Sequence, residues 1–376
     1  MEGRQERVGG DRSLMQACVA CACLIACSGA PSSNEPAAEP ASPASATAEA
    51  IEAPEVAEGP PAPIEAVEAP EPEPAIAPEV AAILAPDAER SVSVGGPNDG
   101  RVERAVAMPD EGPGFRFNER RPTIARYGTG RMVRALIRAA MDVHESHGGE
   151  ATFNDLGLER GGAIAHHGSH RAGRDVDVLF YLTHEGEPHR SVGAFLDPEG
   201  FGVDFRDLAD PADDIHFRID LPRTRAFVHA LLRRSDEEDL PVQRIFVVEH
   251  VRSMLIAHAR SAGGDEAMIE RFAMVTCQPG APHDDHFHIR FFCAGDDIAQ
   301  GCTDARPHYP WWEQALAERG LELRVHVPRR DRPMAEITTA AQARRRAGAL
   351  APEVREWLNR RRAWQRKPHP GRRWCR

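Results

Sequence analysis

The chain lacks several features that would each imply a class of protein. Its 376 residues include a single lysine, Lys367, and only 6% are aromatic. It contains no HExxH sequence, which excludes the helical zinc motif of the common zinc proteases. No glycine-rich phosphate-binding loop occurs, so nothing predicts a nucleotide-binding βαβ unit. No CxxC pair occurs beyond residue 27, so we do not expect a zinc site built from cysteines in the rest of the chain.

Basic and aromatic residues are both absent from a long segment near the N-terminus. Residues 28–85 consist almost entirely of Ala, Pro, Glu, Ser and small aliphatic residues. Such a segment cannot bury enough apolar surface to offset the entropy lost on ordering. Proline favours extended polyproline II, and repulsion between glutamates stretches the chain further. We therefore predict that residues 28–90 form a disordered tether; an acidic interaction arm is the alternative.

No long hydrophobic run is present, since the most apolar stretch covers only Leu14–Cys27. It is too short to span a bilayer and is typical of the apolar region of a signal peptide. Its end, Leu24-Ile25-Ala26-Cys27, resembles a bacterial lipobox, which implies that residues 1–27 are a signal peptide with Cys27 as the lipidated residue. Ser28 follows rather than an inner-membrane retention Asp, so we expect a periplasmic lipoprotein anchored to the outer membrane. The alternative is ordinary cleavage near Ala30 and a secreted protein.

Charge is distributed unevenly along the chain. The formal net charge is −12, but much of it belongs to the tether, so the folded region should be closer to neutral. Residues 326–376 are instead basic and contain several clusters of arginine. They are interpreted as a partly helical tail with a solvated basic face, or as a segment attracted to anionic polymer or lipid head groups. Nucleic acid is not expected as a partner outside the cytoplasm, and the sequence predicts no oligomeric state.

Four cysteines follow the signal region: Cys277, Cys293, Cys302 and Cys375. An even number is compatible with disulfides in an oxidising compartment. Cys293 and Cys302 would close a short loop and are the expected pair, with two small buried thiols as the alternative. The pairing of Cys277 and Cys375 is left open.

Hydrophobic periodicity and turn residues predict ordered elements from about residue 91 onward. Helices are predicted over Arg131–His144, Arg223–Leu232, Glu249–Ala259 and Trp311–Arg319, strands over Asp175–Leu182, Val242–Val248 and Phe287–Phe292, and a weaker helix or pair of helices over Ala335–Arg362. Helices and strands alternate irregularly, which favours an α+β layer architecture. Residues 91–325 are long enough to build one hydrophobic core.

The segment His283–Arg290 places three histidines within six residues. Residues two apart in a strand point to the same face, so His286 and His288 should lie side by side. The same alternation puts Asp175 and Asp177 on one face of another predicted strand. Two histidines and one carboxylate around Zn²⁺ leave a position open for water, which is typical of a catalytic site. A chance HxH pattern is the competing interpretation, because 17 of the 376 residues are histidine.

Together these motifs resemble a known family. The residues that carry the resemblance are Ser91–Gly95, Gly161-Gly162, His167–His170, Gly173–Asp177, Gln278-Pro279, His283–His288 and the Cys293–Cys302 segment. They are similar to the penicillin-insensitive murein endopeptidases of the MepA type, which share the fold of the zinc DD-peptidases related to hedgehog signalling domains. The resemblance covers roughly residues 91–312, and the tether and the tail lie outside it.

The resemblance implies a single zinc-peptidase domain over residues 91–325, with a mainly antiparallel central sheet flanked by helices. It implies cleavage of peptide cross-links in peptidoglycan, chiefly the D-alanyl–meso-diaminopimelyl bond. The zinc ligands would be His170, Asp177 and His288. His286 would be the catalytic base, and His283 would support it.

General chemistry agrees with these roles. Zinc polarises a carbonyl and lowers the pKa of its bound water to about 7, and a neutral imidazole can take up the proton. His283, if protonated, could bind the developing oxyanion. Asp175 would orient an imidazole ligand by a hydrogen bond, or have only a structural role. His167 would orient a ligand or contact substrate.

Two other functions compete with this one. A DD-carboxypeptidase or dipeptidase on the same fold typically uses a glutamate base shortly before the last histidine, where this chain has His283 and His286. A wall-binding lipoprotein without catalysis would keep the metal for stability alone. Glu249 and His250 follow a predicted strand where the family leads us to expect smaller or hydroxyl-bearing residues, so they could alter the substrate-binding wall.

Overall fold

The computed structural model of the protein describes residues 76–85, 91–204, 214–331 and 348–366, together with the single residues 212, 342, 345, 374 and 375. The predicted signal peptide with Cys27, most of the predicted tether and part of the basic tail lie outside the described residues. Among the residues that are described, no helix combines the length and the apolar character needed to cross a membrane.

The described part of the chain contains eight α-helices and one short 3₁₀ helix, Thr123–Ala125. The α-helices are α1 (Pro78–Leu84), α2 (Gly130–His147), α3 (Leu221–Glu237), α4 (Glu249–Ser261), α5 (Glu266–Val275), α6 (Gly295–Ala299), α7 (Pro310–Glu318) and α8 (Pro352–Arg366).

The described strands are mostly short. They are β1 (Val92–Val94), β2 (Arg101–Glu103), β3 (Val106–Ala107), β4 (Glu111–Gly112), β5 (Phe115–Phe117), β6 (Tyr127–Gly128), β7 (Ala151–Phe153), β8 (Asp175–Leu179), β9 (Leu182–His184), β10 (Glu187–His189), β11 (Phe201–Asp204), β12 (Ile215–Ile219), β13 (Val242–Phe246), β14 (Thr276–Cys277) and β15 (His286–Phe291).

Seven strands form the central sheet in the order β14-β13-β15-β8-β7-β5-β4. Neighbouring strands run antiparallel except for β13 beside β14 and β5 beside β7. A smaller antiparallel sheet has the order β10-β9-β12-β11, and β1-β2 and β3-β6 form two-stranded sheets. The predicted α+β class with a mainly antiparallel central sheet is therefore confirmed.

One face of the central sheet forms the hydrophobic core. Val176 and Val178 of β8 lie on this face beside Ile289 and Phe287 of β15, as the strand register requires. Helices α2 and α3 pack together over it, and Phe227 of α3 contacts Phe153 of β7 at 6.2 Å between ring centroids. The opposite face of the same strands carries charged and polar side chains, and that face holds the candidate site.

The ends of the predicted elements differ from the observed ones by a few residues. One predicted strand is observed as two separate strands, β8 and β9. The sequence predicts a continuous strand over Asp175–Leu182, whereas β8 ends at Leu179. Leu179 pairs with His286, which is the first residue of β15. Residues after Leu179 therefore have no residue of β15 to pair with. The chain then turns, and Leu182–His184 joins the smaller sheet. Helix α5 and most of this smaller sheet were not predicted.

Helix α1 lies within the stretch predicted as a tether, so the prediction is wrong for this part. Val80 is fully buried in the core, and Ile83 and Leu84 pack against it. These three apolar residues follow the i, i+3, i+4 spacing that forms one face of a helix. A proline at the first helical position suits this start.

Two disulfides are present among the described residues, and only one of them joins distant parts of the chain. Cys293 and Cys302 are bonded, as expected from the short loop between them. Cys277 of β14 is bonded to Cys375, 98 residues later. This second bond attaches the C-terminal end of the chain to the edge strand of the central sheet, next to the loop that leads into β15.

Candidate metal centre

Strands β8 and β15 lie side by side at the centre of the sheet. Asp177 pairs with His288, and Asp175 pairs with Arg290. All four side chains point away from the hydrophobic core because Val176 and Ile289 point into it. The alternation that the sequence predicts therefore brings an imidazole and a carboxylate together on the polar face.

His170 reaches the same place from the loop that precedes β8. Its backbone has a positive φ of 64°, a conformation that costs a non-glycine residue energy and is often found at functional sites. Its Nδ1 donates a hydrogen bond to the Leu156 carbonyl at 2.7 Å, which leaves Nε2 with a free lone pair. The ring is completely buried, so this lone pair faces protein rather than solvent.

Three potential ligand atoms converge at this point. His170 Nε2 lies 3.1 Å from His288 Nδ1 and 3.4 Å from Asp177 Oδ1, and His288 Nδ1 lies 3.1 Å from that oxygen. Atoms bound to a tetrahedral zinc ion at about 2.0–2.1 Å lie about 3.3–3.4 Å from one another. The observed separations match that spacing closely.

The hydrogen bonds made by the ring nitrogens that face away from the cluster also favour a bound cation. His288 donates from Nε2 to Asp175 Oδ1 at 3.0 Å, so in the neutral ring its Nδ1 carries a lone pair. Asp177 Oδ1 is buried and has no hydrogen-bond partner among the described residues. Three lone pairs directed at one another in a buried site are unfavourable unless a cation lies between them. The side chains therefore fit a metal ion.

Asp175 supports His288 from the side opposite to the cluster. Burial alone would raise the pKa of Asp175, but the positive charge of Arg290 and the hydrogen bond from His288 outweigh it and hold the pKa well below its ordinary value. Arg290 donates from Nε to the same carboxylate oxygen at 2.8 Å. Asp175 thus remains charged and fixes the orientation of the His288 ring, as an aspartate behind a metal-ligating histidine commonly does.

His167 borders the cluster as a fourth potential ligand. Its ligand atom and those of His170, Asp177 and His288 all lie within 4.8 Å of one another. Its Nδ1 is 3.6 Å from Asp177 Oδ2, and its Nε2 bonds Asp155 Oδ2 at 2.9 Å. His167 therefore lies beside the second oxygen of Asp177, and Asp155 fixes its orientation.

His286 occupies the start of β15 on the same face. Its Nδ1 bonds Asp285 Oδ1 at 2.7 Å, and its Nε2 lies 3.7 Å from Asp177 Oδ2. Burial opposes protonation of the ring, but the carboxylates of Asp285 and Asp177 outweigh this and raise the pKa of His286 to about 9. The ring is held with Nε2 directed at the cluster.

His283 lies on the turn before β15, with a positive φ of 52°. Its Nδ1 donates to the Ala281 carbonyl at 2.7 Å, and its ring centroid is 4.9 Å from that of His286. Burial and the neighbouring His286 and His288 lower the pKa of His283 to about 3. His283 is therefore neutral at physiological pH, and the protonated ring considered from the sequence as an oxyanion donor is not favoured.

A family model described as penicillin-insensitive murein endopeptidase matches residues 93–313. The chain belongs to this family. The match covers every residue of the cluster and ends before the basic tail. Comparison with curated protein sequences finds no match.

Several residues of the candidate site in this murein endopeptidase family member were not predicted from the sequence. Asp285 holds His286, Asp155 holds His167, and the Phe246 ring lies 5.0 Å from that of His288. Asp285 was part of the quoted motif and adjacent to a site histidine, so it could have been considered. Asp155 lies in a segment with no distinctive pattern, and Phe246 lies in a predicted strand that carries no sign of a site. Only the folded chain brings them there.

The two residues where this chain departs from the family expectation are both buried. Glu249 pairs with Arg252 at 3.0 Å, and its backbone N–H donates to Gln278. His250 bonds the Leu196 carbonyl through Nε2 at 2.9 Å. These contacts hold α4 against its surroundings, which is a structural role.

Proposed function

We propose that this protein is a zinc-dependent endopeptidase that hydrolyses peptide cross-links in peptidoglycan, at the D-alanyl–meso-diaminopimelyl bond. Membership of the murein endopeptidase family supports the substrate class. The observation that carries the proposal is the convergence of His170, Asp177 and His288 on one face of the sheet, with His286 beside them.

We assign His170 Nε2, Asp177 Oδ1 and His288 Nδ1 as the metal ligands. Zinc is proposed because a set of nitrogen and carboxylate donors with a free position is typical of catalytic zinc. A bound zinc ion supplies Lewis-acid polarisation of the scissile carbonyl and activation of the attacking water. Asp175 keeps the His288 ring in place by its hydrogen bond to Nε2.

His286 is proposed as the general base, acting through Nε2. Its Nδ1–H is committed to Asp285, so the other nitrogen can accept a proton from water during attack. The same nitrogen can then return the proton to the leaving amine. When Asp177 acts as a metal ligand, its charge raises the pKa of His286 less strongly, and the ring becomes a proton acceptor nearer neutral pH.

His283 is proposed to act in its neutral form. With Nδ1–H bonded to Ala281, its Nε2 offers a lone pair rather than a proton. It can therefore accept a hydrogen bond from substrate or from the attacking water next to His286. His167, which Asp155 holds against Asp177, is proposed to fix the orientation of that ligand or to contact substrate.

The predicted location follows from the substrate. Peptidoglycan lies outside the cytoplasm, and we propose a periplasmic lipoprotein in which Cys27 carries the lipid and residues 28–75 form most of the tether. We propose a catalytic domain over residues 91–325. Helix α8 of the basic tail packs against this domain through Arg361.

The function can be tested with purified full-length protein and two substrates. One is a cross-linked muropeptide dimer, and the other is an uncross-linked pentapeptide that ends in D-alanyl-D-alanine. We expect the dimer to be converted to monomers, as read by mass spectrometry, and a chelator to stop the conversion until zinc is restored. Release of D-alanine from the pentapeptide alone would indicate a carboxypeptidase, and no turnover of either by the zinc-loaded protein would indicate a binding protein.

A further inference from the structure

A cavity of about 200 Å³ opens beside the candidate metal centre. By volume it would hold roughly seven water molecules. Arg116 of β5 and Thr152 of β7 line it and are cross-strand partners. Phe153 pairs with Val178 on the core face, so Thr152 points to the opposite face, which is the face of Asp177. The cavity and the metal centre therefore share one surface of the central sheet.

The lining contains polar atoms that the protein itself leaves unsatisfied. Arg116 Nε, Thr152 Oγ1 and Ser191 Oγ are buried and have no hydrogen-bond partner among the described residues. Thr152 and Ser191 are only 2% and 5% exposed. Buried polar atoms without partners are rare and unfavourable. Three of them around one cavity indicate a ligand that supplies the missing bonds.

The guanidinium groups around the cavity are also weakly paired. Arg116 lies 3.9 Å from Glu111 and 4.0 Å from Glu150. Arg120 is 4.0 Å from Asp204, and Arg190 is 3.8 Å from Glu119. All four separations exceed hydrogen-bond length. These arginines therefore retain N–H groups that can bind an anion.

Contacts connect the cavity to the residues of the metal centre. A methyl group placed on Gly193, in the cavity wall, would lie 3.8 Å from Asp285 Oδ2. In the opposite wall, Asn118 donates to Asn154 Oδ1 at 2.8 Å, and the Asn154 backbone N–H donates to the Asp177 carbonyl at 2.8 Å. A peptide lying along this face could reach both places.

We propose that this cavity binds the free amino-acid centre of a diamino acid in the peptide substrate. The arginines and the two hydroxyl groups would bind its carboxylate. Glu119 and Asp204 also line the cavity. Their negative charges disfavour a ligand with several anionic groups and attract the ammonium group of the same amino-acid centre. Strand β5 is two strands from β8, or about 10 Å, a distance that the long side chain of a diamino acid and one intervening residue can span. The inference rests on the proposed peptidoglycan substrate.

The test measures binding rather than turnover. Calorimetry compares two uncross-linked stem peptides on zinc-loaded full-length protein: one with the carboxylate at the free centre of its diamino acid unmodified, and one with that carboxylate amidated. We expect amidation to weaken binding by about tenfold or more, because it removes a charge-assisted contact. In Arg116→Gln and in Arg190→Gln this preference should fall to about twofold or less.

The controls separate this proposal from the catalytic one. Arg260→Gln removes an exposed arginine that pairs with Glu266 on another surface, and it should keep the full preference. Arg190 is 44% exposed, so its variant will fold even if Arg116→Gln does not. Equal binding of both peptides by the wild type, or an unchanged preference in Arg190→Gln, would overturn the proposal. The binding of uncross-linked peptides can be measured whether or not the protein cleaves cross-linked dimers, so failure of one proposal is distinguishable from failure of the other.

Discussion

At the scale of single residues, the hydrogen bond made by one ring nitrogen of each histidine decides which other nitrogen faces the cluster with a lone pair. Leu156 fixes His170 with Nε2 towards the cluster, while Asp175 fixes His288 with Nδ1 towards it. Asp285 fixes His286 so that Nε2 faces Asp177. A sequence motif shows which residues carry an imidazole, but it does not show which nitrogen each one presents.

Replacing His286 by alanine tests its role as the base. We expect the rate of dimer cleavage to fall by about 10²- to 10⁴-fold, because the neighbouring His283, whose pKa is lowered to about 3, is a much weaker base than His286. Metal analysis should still find one bound zinc ion per chain. His216→Ala, an exposed histidine of the smaller sheet, is the matched control. Loss of zinc from the His286 variant would mean that this residue is a ligand instead.

Asp297 provides a prediction about the pH dependence of stability. Burial raises its pKa to about 6, despite the hydrogen bond from the Ser93 backbone N–H and the charge of Arg174. The pKa of Asp297 is higher in the folded state than in the unfolded state. Protonation of Asp297 therefore stabilises the folded state. This stabilisation is fully present below about pH 4 and is lost as the pH rises through 6.

Asp297→Asn removes this titration. The free energy of unfolding of the wild type, relative to this variant, should fall by up to about 3 kcal/mol between pH 4 and pH 7. Urea denaturation at several pH values measures it. If the free energy of unfolding changes equally with pH in the two proteins, the pKa of Asp297 is the same in the folded and unfolded states, which contradicts the prediction.

At the scale of elements, the alternation of side chains in β8 and β15 made much of the candidate site predictable. Period-two patterns place Asp177 and His288 on one face without any knowledge of the fold. The β8–β15 pairing, and the arrival of His170 from a strained loop, depend on contacts that span more than 100 residues. Local sequence contains no signal for such contacts. The smaller sheet and Asp155 were missed although their contacts span fewer than 40 residues, because their segments show no distinctive pattern.

Helix α8 contacts the loop that carries His283 and leads into β15. Arg361 donates two hydrogen bonds to Asp284, at 2.8 and 2.6 Å, and its guanidinium lies 3.5 Å from the Phe195 ring centroid. Asp284 is completely buried between His283 and Asp285. The basic tail therefore contributes one arginine to the support of the site, which its composition alone did not predict.

Arg361→Leu should destabilise the protein by about 3 kcal/mol, because it removes the observed ion-pair partner of a buried carboxylate. Chemical denaturation measures the change, and Arg360→Leu on the exposed side of the same helix is the control. The double variant Arg361→Leu with Asp284→Asn should recover part of the loss, since the buried charge is gone. Unchanged stability of the single variant would show that the pair does not fasten the tail.

At the scale of the whole molecule, the chain divides into regions of different composition. In the sequence, the acidic, proline-rich segment precedes and the basic tail follows a domain whose core is built from one face of a seven-stranded sheet. Composition predicted these regions, but it did not predict that Pro78–Leu84 packs as a helix, because three larger apolar residues hardly change the average of a long segment rich in Ala, Pro and Glu.

The proposed lipid anchor predicts where the protein is found in the cell. In Cys27→Ala the thiol that would carry the lipid is missing, so the protein should move from the membrane fraction to the soluble periplasmic fraction. Cell fractionation with immunoblotting measures this, and Cys23→Ala in the same apolar run is the matched control. If the Cys27 variant stays with the membrane, lipidation at this residue is excluded.

We propose that a metal held by His170 of a loop and by Asp177 and His288 of the sheet makes this protein a hydrolase of peptidoglycan cross-links. The most direct test is to titrate zinc into metal-free full-length protein while measuring cleavage of a cross-linked muropeptide dimer. We expect the rate to rise in proportion to zinc up to one equivalent per chain, and Asp177→Ala to stay inactive throughout. Cleavage by the metal-free protein at the same rate as by the zinc-loaded protein would contradict the account.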